Sequence, residues 1–168
     1  AIKLFGPGND SGTFEYFTEA IVQKKKSSRT DYAASEDDNV LVQGVGGEKG
    51  GLGYFGYSYY VLNKDKVKIV PVDSGNGPVS PSESTIADGT YYPLSRPLFL
   101  YVNKKLLDTD LGKKFVEYYL SEAGLTLIAE TGYVPLPAAA YDKIKARVAE
   151  GKAGSVFASS NWVGMKIE

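Results

Sequence analysis

Histidine and cysteine are both missing from this 168-residue chain. Without them there is no Ser-His-Asp or Cys-His nucleophilic site, no His/Cys zinc site and no histidine proton shuttle, which removes most common hydrolase designs. The absence of cysteine also rules out a disulfide framework, and that fits a reducing cytoplasm as well as an exported protein that relies on its core. No run approaches the roughly 18 consecutive apolar residues of a membrane span. Ala1 opens no signal-peptide pattern, so the chain is expected to be cytoplasmic, already processed or cut from something longer. A surplus of charge is lacking too. Nineteen basic residues face twenty acidic ones, so general attraction to nucleic acid or acidic membrane is not expected, and an anion would have to be bound locally.

What is present, 43% hydrophobic and 23% charged residues, is an ordinary globular composition. Ile2-Lys3-Leu4-Phe5 reads as a strand that runs into the turn-rich Gly6-Pro7-Gly8-Asn9-Asp10. Phe14, Phe17 and Ile21 then recur at helical spacing, giving a helix over about 13–24 whose C-terminal end carries Lys24, Lys25 and Lys26 as a solvated end. A second helix is expected after the cap-like Ser35 and the acidic Glu36-Asp37-Asp38, closed by Gly46-Gly47. The aromatic stretch 51–60 and the alternating 66–72 read as two strands separated by a short helix or turn at 58–64, and 73–88 as a surface excursion. Thirteen tyrosines are better explained by packing than by base stacking, because no Arg or Lys interleaves them between Leu52 and Tyr60. The apolar run 97–102 suits a strand buried on both faces, and helices are expected over 110–129 and 138–149 around a break at 132–137. Strands alternating with helices give an α/β class with a mostly parallel sheet.

The loop from Gly6 to Thr13 is the candidate site. A Gly-rich turn between a strand and a helix N-terminus gathers unpaired backbone N–H groups at the positive end of the helix dipole, and the hydroxyls of Ser11 and Thr13 add donors. It lacks the Gly-Lys-Ser/Thr ending of a P-loop and the glycine spacing of a dinucleotide fingerprint. From the loop alone two readings stand: anion binding, and simple capping of the helix by Asp10 or Ser11.

Several motifs in order then carry a resemblance. Gly6-Pro7-Gly8-Asn9-Asp10-Ser11-Gly12-Thr13-Phe14, Ser28-Arg29-Thr30-Asp31-Tyr32, Glu36-Asp37-Asp38-Asn39 with Gln43-Gly44-Val45, Gly53-Tyr54-Phe55-Gly56-Tyr57 and Pro93-Leu94-Ser95-Arg96-Pro97-Leu98 resemble the PstS/SphX branch of phosphate-binding receptors that serve ABC importers. The resemblance implies a type II periplasmic-binding-protein-like α/β fold with two lobes hinged around the ligand. Residues 1–92 would form the second lobe with the phosphate loop. Residues 93–168 would cross back as the C-terminal portion of the first lobe, whose N-terminal half is missing here. It implies phosphate bound by Ser11, Gly12 and Thr13, with no catalysis, cofactor, metal or nucleic acid, and delivery to a membrane permease. The expected location is periplasmic or extracellular, with any membrane anchor in a segment not present.

One departure matters. Many relatives carry an arginine four residues before the serine, where this chain has Pro7. Arg29, in the polar loop 27–31, is the expected replacement, since a guanidinium engages two phosphate oxygens at once; its alternative is a surface pair with Asp31. Arg96 and Arg147 are expected to matter less. A receptor for sulfate or another tetrahedral oxyanion remains the nearest alternative, and a phosphate-ester hydrolase using Ser11 or Thr13 as nucleophile the more distant one.

Overall fold

A computed structural model describes residues 1–155 and Val163. Strand β1 (Lys3–Gly6) leads through the glycine loop into helix α1 (Gly12–Val22), and the chain returns as β2 (Ala33–Ala34). Helix α2 (Asp38–Gly47) and strand β3 (Gly51–Gly53) follow. The three strands form one parallel sheet in the order β2-β1-β3, with Phe5 opposite Ala33 on one side and opposite Gly53 on the other. The expected α/β class with a parallel sheet is what the chain builds, and β1 is its central strand.

The glycines of β3 have a packing reason. A side chain at Gly53 would stand 2.8 Å from Val45 Cγ2 and 2.9 Å from the Phe5 carbonyl oxygen, and one at Gly51 would stand 2.7 Å from the Val45 carbonyl oxygen. Helix α2 therefore lies against the strand backbone itself. Gly44 does the same for the ring of Phe5, which occupies the space a side chain there would need. Phe14 and Tyr16 of α1 and Leu41 and Val42 of α2 are buried, each full burial of a large apolar side chain being worth about 1.5–3 kcal/mol. Buried Thr18 is satisfied: its hydroxyl donates to the Phe14 carbonyl at 2.8 Å and accepts the Lys26 N–H at 2.8 Å. That second bond folds the lysine-rich tail back on α1, which ends at Gln23 in the left-handed conformation.

Beyond the sheet come α3 (Tyr57–Val61), a small antiparallel ribbon of β4 (Val72–Asp73) and β5 (Pro78–Val79), and α4 (Glu83–Ala87). After a cis Tyr92-Pro93 bond the chain continues into α5 (Lys104–Leu107), α6 (Asp110–Tyr119), α7 (Glu122–Glu130) and α8 (Ala138–Ala149). Val116, Leu120 and Tyr141 centre a second core, with Leu107, Leu136 and Ile144 packed around it.

Four expectations are corrected. Helix α2 is capped by Asp37, whose side chain accepts the Asn39 N–H, and not by Ser35; Gly46 and Gly47 lie inside its last turn, with Glu48 as C-cap. The stretch 66–72 is not a strand apart from its last residue, because among the described residues the only pairing it meets is the ribbon at Val72 and Asp73. The run 97–102 is not a strand and not buried: Leu98 is 60% and Tyr101 90% exposed. Its apolar composition signals burial, but among the described residues no strand lies beside it. The single helix over 110–129 is two helices. Ser121 accepts the Gly124 N–H and donates to the Tyr118 carbonyl at 2.6 Å, so it ends one helix and starts the next.

Candidate functional site

The Gly6–Thr13 loop leaves the C-terminal end of the central strand and enters α1. Its entry is fixed from three sides. The Tyr32 hydroxyl donates to the Pro7 carbonyl at 2.9 Å, the Ser35 N–H to the Gly6 carbonyl at 3.2 Å, and the Asp10 N–H to Glu36 Oε1 at 3.2 Å. Gly6 is required by close approach, since a side chain there would meet the Tyr54 ring at 2.9 Å. Tyr54 in turn stacks on Phe17 of α1 with ring centroids 3.9 Å apart. Burial pushes the Tyr54 phenol up to about 12, with a smaller contribution from Tyr32.

Ser11 is the N-cap of α1. Its Oγ accepts the N–H of Thr13 at 3.1 Å and that of Phe14 at 3.4 Å. The capping reading of Ser11 is thus realised, yet it does not consume the groups an anion needs. A hydroxyl that accepts through its lone pairs keeps its proton for donation. Among the described residues the hydroxyls of Ser11 and Thr13 donate to no acceptor, and the Gly12 N–H has no partner. Three unspent donors therefore sit in sequence at the positive end of an eleven-residue helix. Such a set suits a small oxyanion; among the described residues no group of His, Cys, Asp and Glu that could hold a metal ion is present.

Arg29 takes the alternative position. Its Nε and Nη2 each donate to a carboxylate oxygen of Asp31 at 2.5 Å, in a pair whose side chains are 61% and 69% exposed. The guanidinium holds the Asp31 carboxyl well below its usual range, at about 2. Arg29 and Thr13 border the same large groove, but the fork of Arg29 is already filled.

The residue that sequence reasoning set aside is Arg96. Its guanidinium lies over the Tyr16 ring, 5.4 Å from the centroid, and its Nη2 comes within 3.6 Å of where a side chain on Gly12 would begin. It is half-buried, burial lowers its affinity for the proton, and the nearby phenols of Tyr16 and Tyr133 oppose that effect. The signal available in the sequence was its place within Pro93-Leu94-Ser95-Arg96-Pro97-Leu98, one of the motifs that carried the resemblance.

A family model described as a PBP superfamily domain matches residues 1–123. The chain is 48% identical over 168 residues to Protein SphX of Synechococcus elongatus, covering 99% of this chain and 49% of that protein. It is 41% identical over 149 residues to the Phosphate-binding protein PstS of Staphylococcus haemolyticus, covering 86% and 45%. The crystal structure of a possible phosphate binding protein from Planctomyces limnophilus superposes with a TM-score of 0.70 at 44% identity, over 90% of this chain and 54% of that one. PstS from Borrelia burgdorferi shares the fold, with a TM-score of 0.57 at 18% identity over 82% of this chain and 54% of that one. The chain spans about half the length of the curated relatives it matches. With the family model extending through the parallel sheet, the glycine loop and the segment that carries Arg96, the chain belongs to the PBP superfamily.

Proposed function

We propose that the chain is the C-terminal part of an extracytoplasmic receptor that holds inorganic phosphate at Ser11, Gly12 and Thr13 and hands it to the permease of an ABC importer, without chemistry on the ligand. The observation that carries this reading is the set of unspent donors at the α1 N-terminus. It lies in a chain 41–48% identical to SphX and to a protein named for phosphate binding. A dipole end, one backbone N–H and two hydroxyls complement a tetrahedral oxyanion. The chain has no histidine to serve as general base, and the described hydrogen bonds link neither the Ser11 nor the Thr13 hydroxyl to a carboxylate or lysine that would take its proton.

In this reading residues 1–92 form the second lobe and 93–168 lead back to the first, the last part of that segment lying outside the described residues. The missing N-terminal half of the same protein supplies the remaining ligand groups. Arg29 belongs to the binding set only if phosphate draws it away from Asp31. The reading is tested by competition: labelled phosphate bound to the full-length protein should resist a large excess of sulfate. Efficient displacement by sulfate would replace phosphate with a general oxyanion receptor.

A further inference from the structure

The segment before Arg96 is tied to α1. The Tyr16 hydroxyl lies 2.6 Å from the Pro93 carbonyl oxygen and 2.9 Å from that of Ser95, and the Ser95 hydroxyl donates to the Tyr91 carbonyl at 2.9 Å. Tyr16 itself is buried. These contacts fix the backbone on which Arg96 stands, and the Tyr16 ring supports one face of its guanidinium at 5.4 Å. A cation over a ring is compensated through its flat face, while its in-plane N–H groups still require acceptors. Among the described residues Arg96 makes no hydrogen bond or ion pair to supply them.

A half-buried guanidinium without a carboxylate is costly to keep, whereas one paired to an anion is not. The position of that missing anion follows from Gly12. Nη2 approaches to 3.6 Å of the point where a Cβ would start, so the residue at the N-terminus of α1 presents only backbone to the guanidinium. An oxyanion resting on the Gly12 N–H and the two flanking hydroxyls would have the Arg96 fork beside it.

We propose that Arg96, and not Arg29, supplies the positive charge for the oxyanion held at Ser11, Gly12 and Thr13. The assignment rests on the loop reading above and makes that site one in which neutral donors from α1 and a guanidinium from the 91–96 segment close on the same ligand. It also accounts for Pro7, since a cation delivered by Arg96 leaves no need for one within the loop.

The test uses the full-length protein, with inorganic phosphate titrated calorimetrically into the parent and into Arg96→Ala, Arg96→Lys and Arg29→Ala, each also unfolded thermally in phosphate-free buffer. Truncating one partner of a desolvated charge pair predicts that Arg96→Ala raises Kd by roughly 30-fold or more. Arg96→Lys should recover part of the loss, because an ammonium lacks the two-point fork. Arg29→Ala should stay within about threefold of the parent, as expected for an exposed charge. A parent that binds phosphate, together with an Arg96→Ala variant of unchanged Kd and lowered melting temperature, would make Arg96 a clamp on Tyr16 and overturn the assignment while leaving the loop reading intact. A parent that does not bind phosphate would overturn both. If Arg96→Ala fails to fold, the guanidinium nitrogen resonances of Arg96 in the isotope-labelled parent decide: a shift on phosphate addition supports the assignment, and none overturns it.

Discussion

In the proposed reading Ser11 has two jobs, helix cap and anion donor, that a single substitution separates by their readouts. As N-cap it takes the N–H groups of Thr13 and Phe14, so Ser11→Ala should cost about 0.5–2 kcal/mol of unfolding free energy without ligand. As an anion donor it should cost affinity on top of that. Denaturant unfolding in phosphate-free buffer checks the first effect, and a variant as stable as the parent would show that the cap is not what holds this helix end. Tyr54 gives a pH prediction. Its phenol is raised to about 12 by burial, against an ordinary value near ~10. The unfolded chain therefore releases that proton first as pH rises, and stability falls between about pH 10 and pH 12. Tyr54→Phe should flatten that alkaline limb, as followed by unfolding at a series of pH values. The loop was legible in the sequence because glycine spacing and a cap residue are local signals. The pairing of Arg29 with Asp31 was legible only as one of two options, since the two residues are neighbours in any fold. Arg96 was not legible as part of the loop's surroundings, because Tyr16 brings it there from about eighty positions away through contacts that have no sequence period.

Among the elements, helices with a steady apolar spacing came out as read, while strands that need a partner and breaks made by a single hydrogen-bonding residue did not. Helix α8 occupies 138–149 as its apolar spacing indicates, and α1 ends within two residues of its expected limit. The break between α6 and α7 was hidden because Leu111, Phe115, Val116 and Tyr119 keep a helical stripe up to it, while Ser121 acts through hydrogen bonds that a periodicity does not record. The same region offers a test of close packing. Gly112 sits in α6 so near the Leu106 carbonyl that a side chain would overlap that backbone oxygen. In an open helix Gly→Ala stabilises by up to about 1 kcal/mol. Here the sign reverses, and Gly112→Ala should destabilise by about 1–3 kcal/mol through overpacking. Chemical denaturation measures it; a stabilised variant would mean that α5 and α6 are free to move apart.

At the scale of the molecule, the chain spans about half the length of the curated relatives it matches. Leu98, Phe99, Leu100 and Tyr101 are 44–90% exposed and form a contiguous apolar stretch. The run 97–102 was expected to be a strand buried on both faces, and it is neither, because apolar composition signals a wish for burial without saying which partner supplies it. In the proposed two-lobe reading, phosphate affinity should reflect the shorter span. Each absent charge-assisted hydrogen bond is worth about 1.5–3 kcal/mol, so the chain as given should bind phosphate far more weakly than its full-length parent. Equal affinities in calorimetry would contradict the two-lobe account. The central claim, that the α1 N-terminus is the phosphate site, is tested most directly by phosphate titration of the full-length protein against the double variant Ser11→Ala/Thr13→Val. Removing two hydroxyl donors to a charged ligand should raise Kd by about 100-fold or more. An undiminished affinity in a folded double variant would place the phosphate elsewhere.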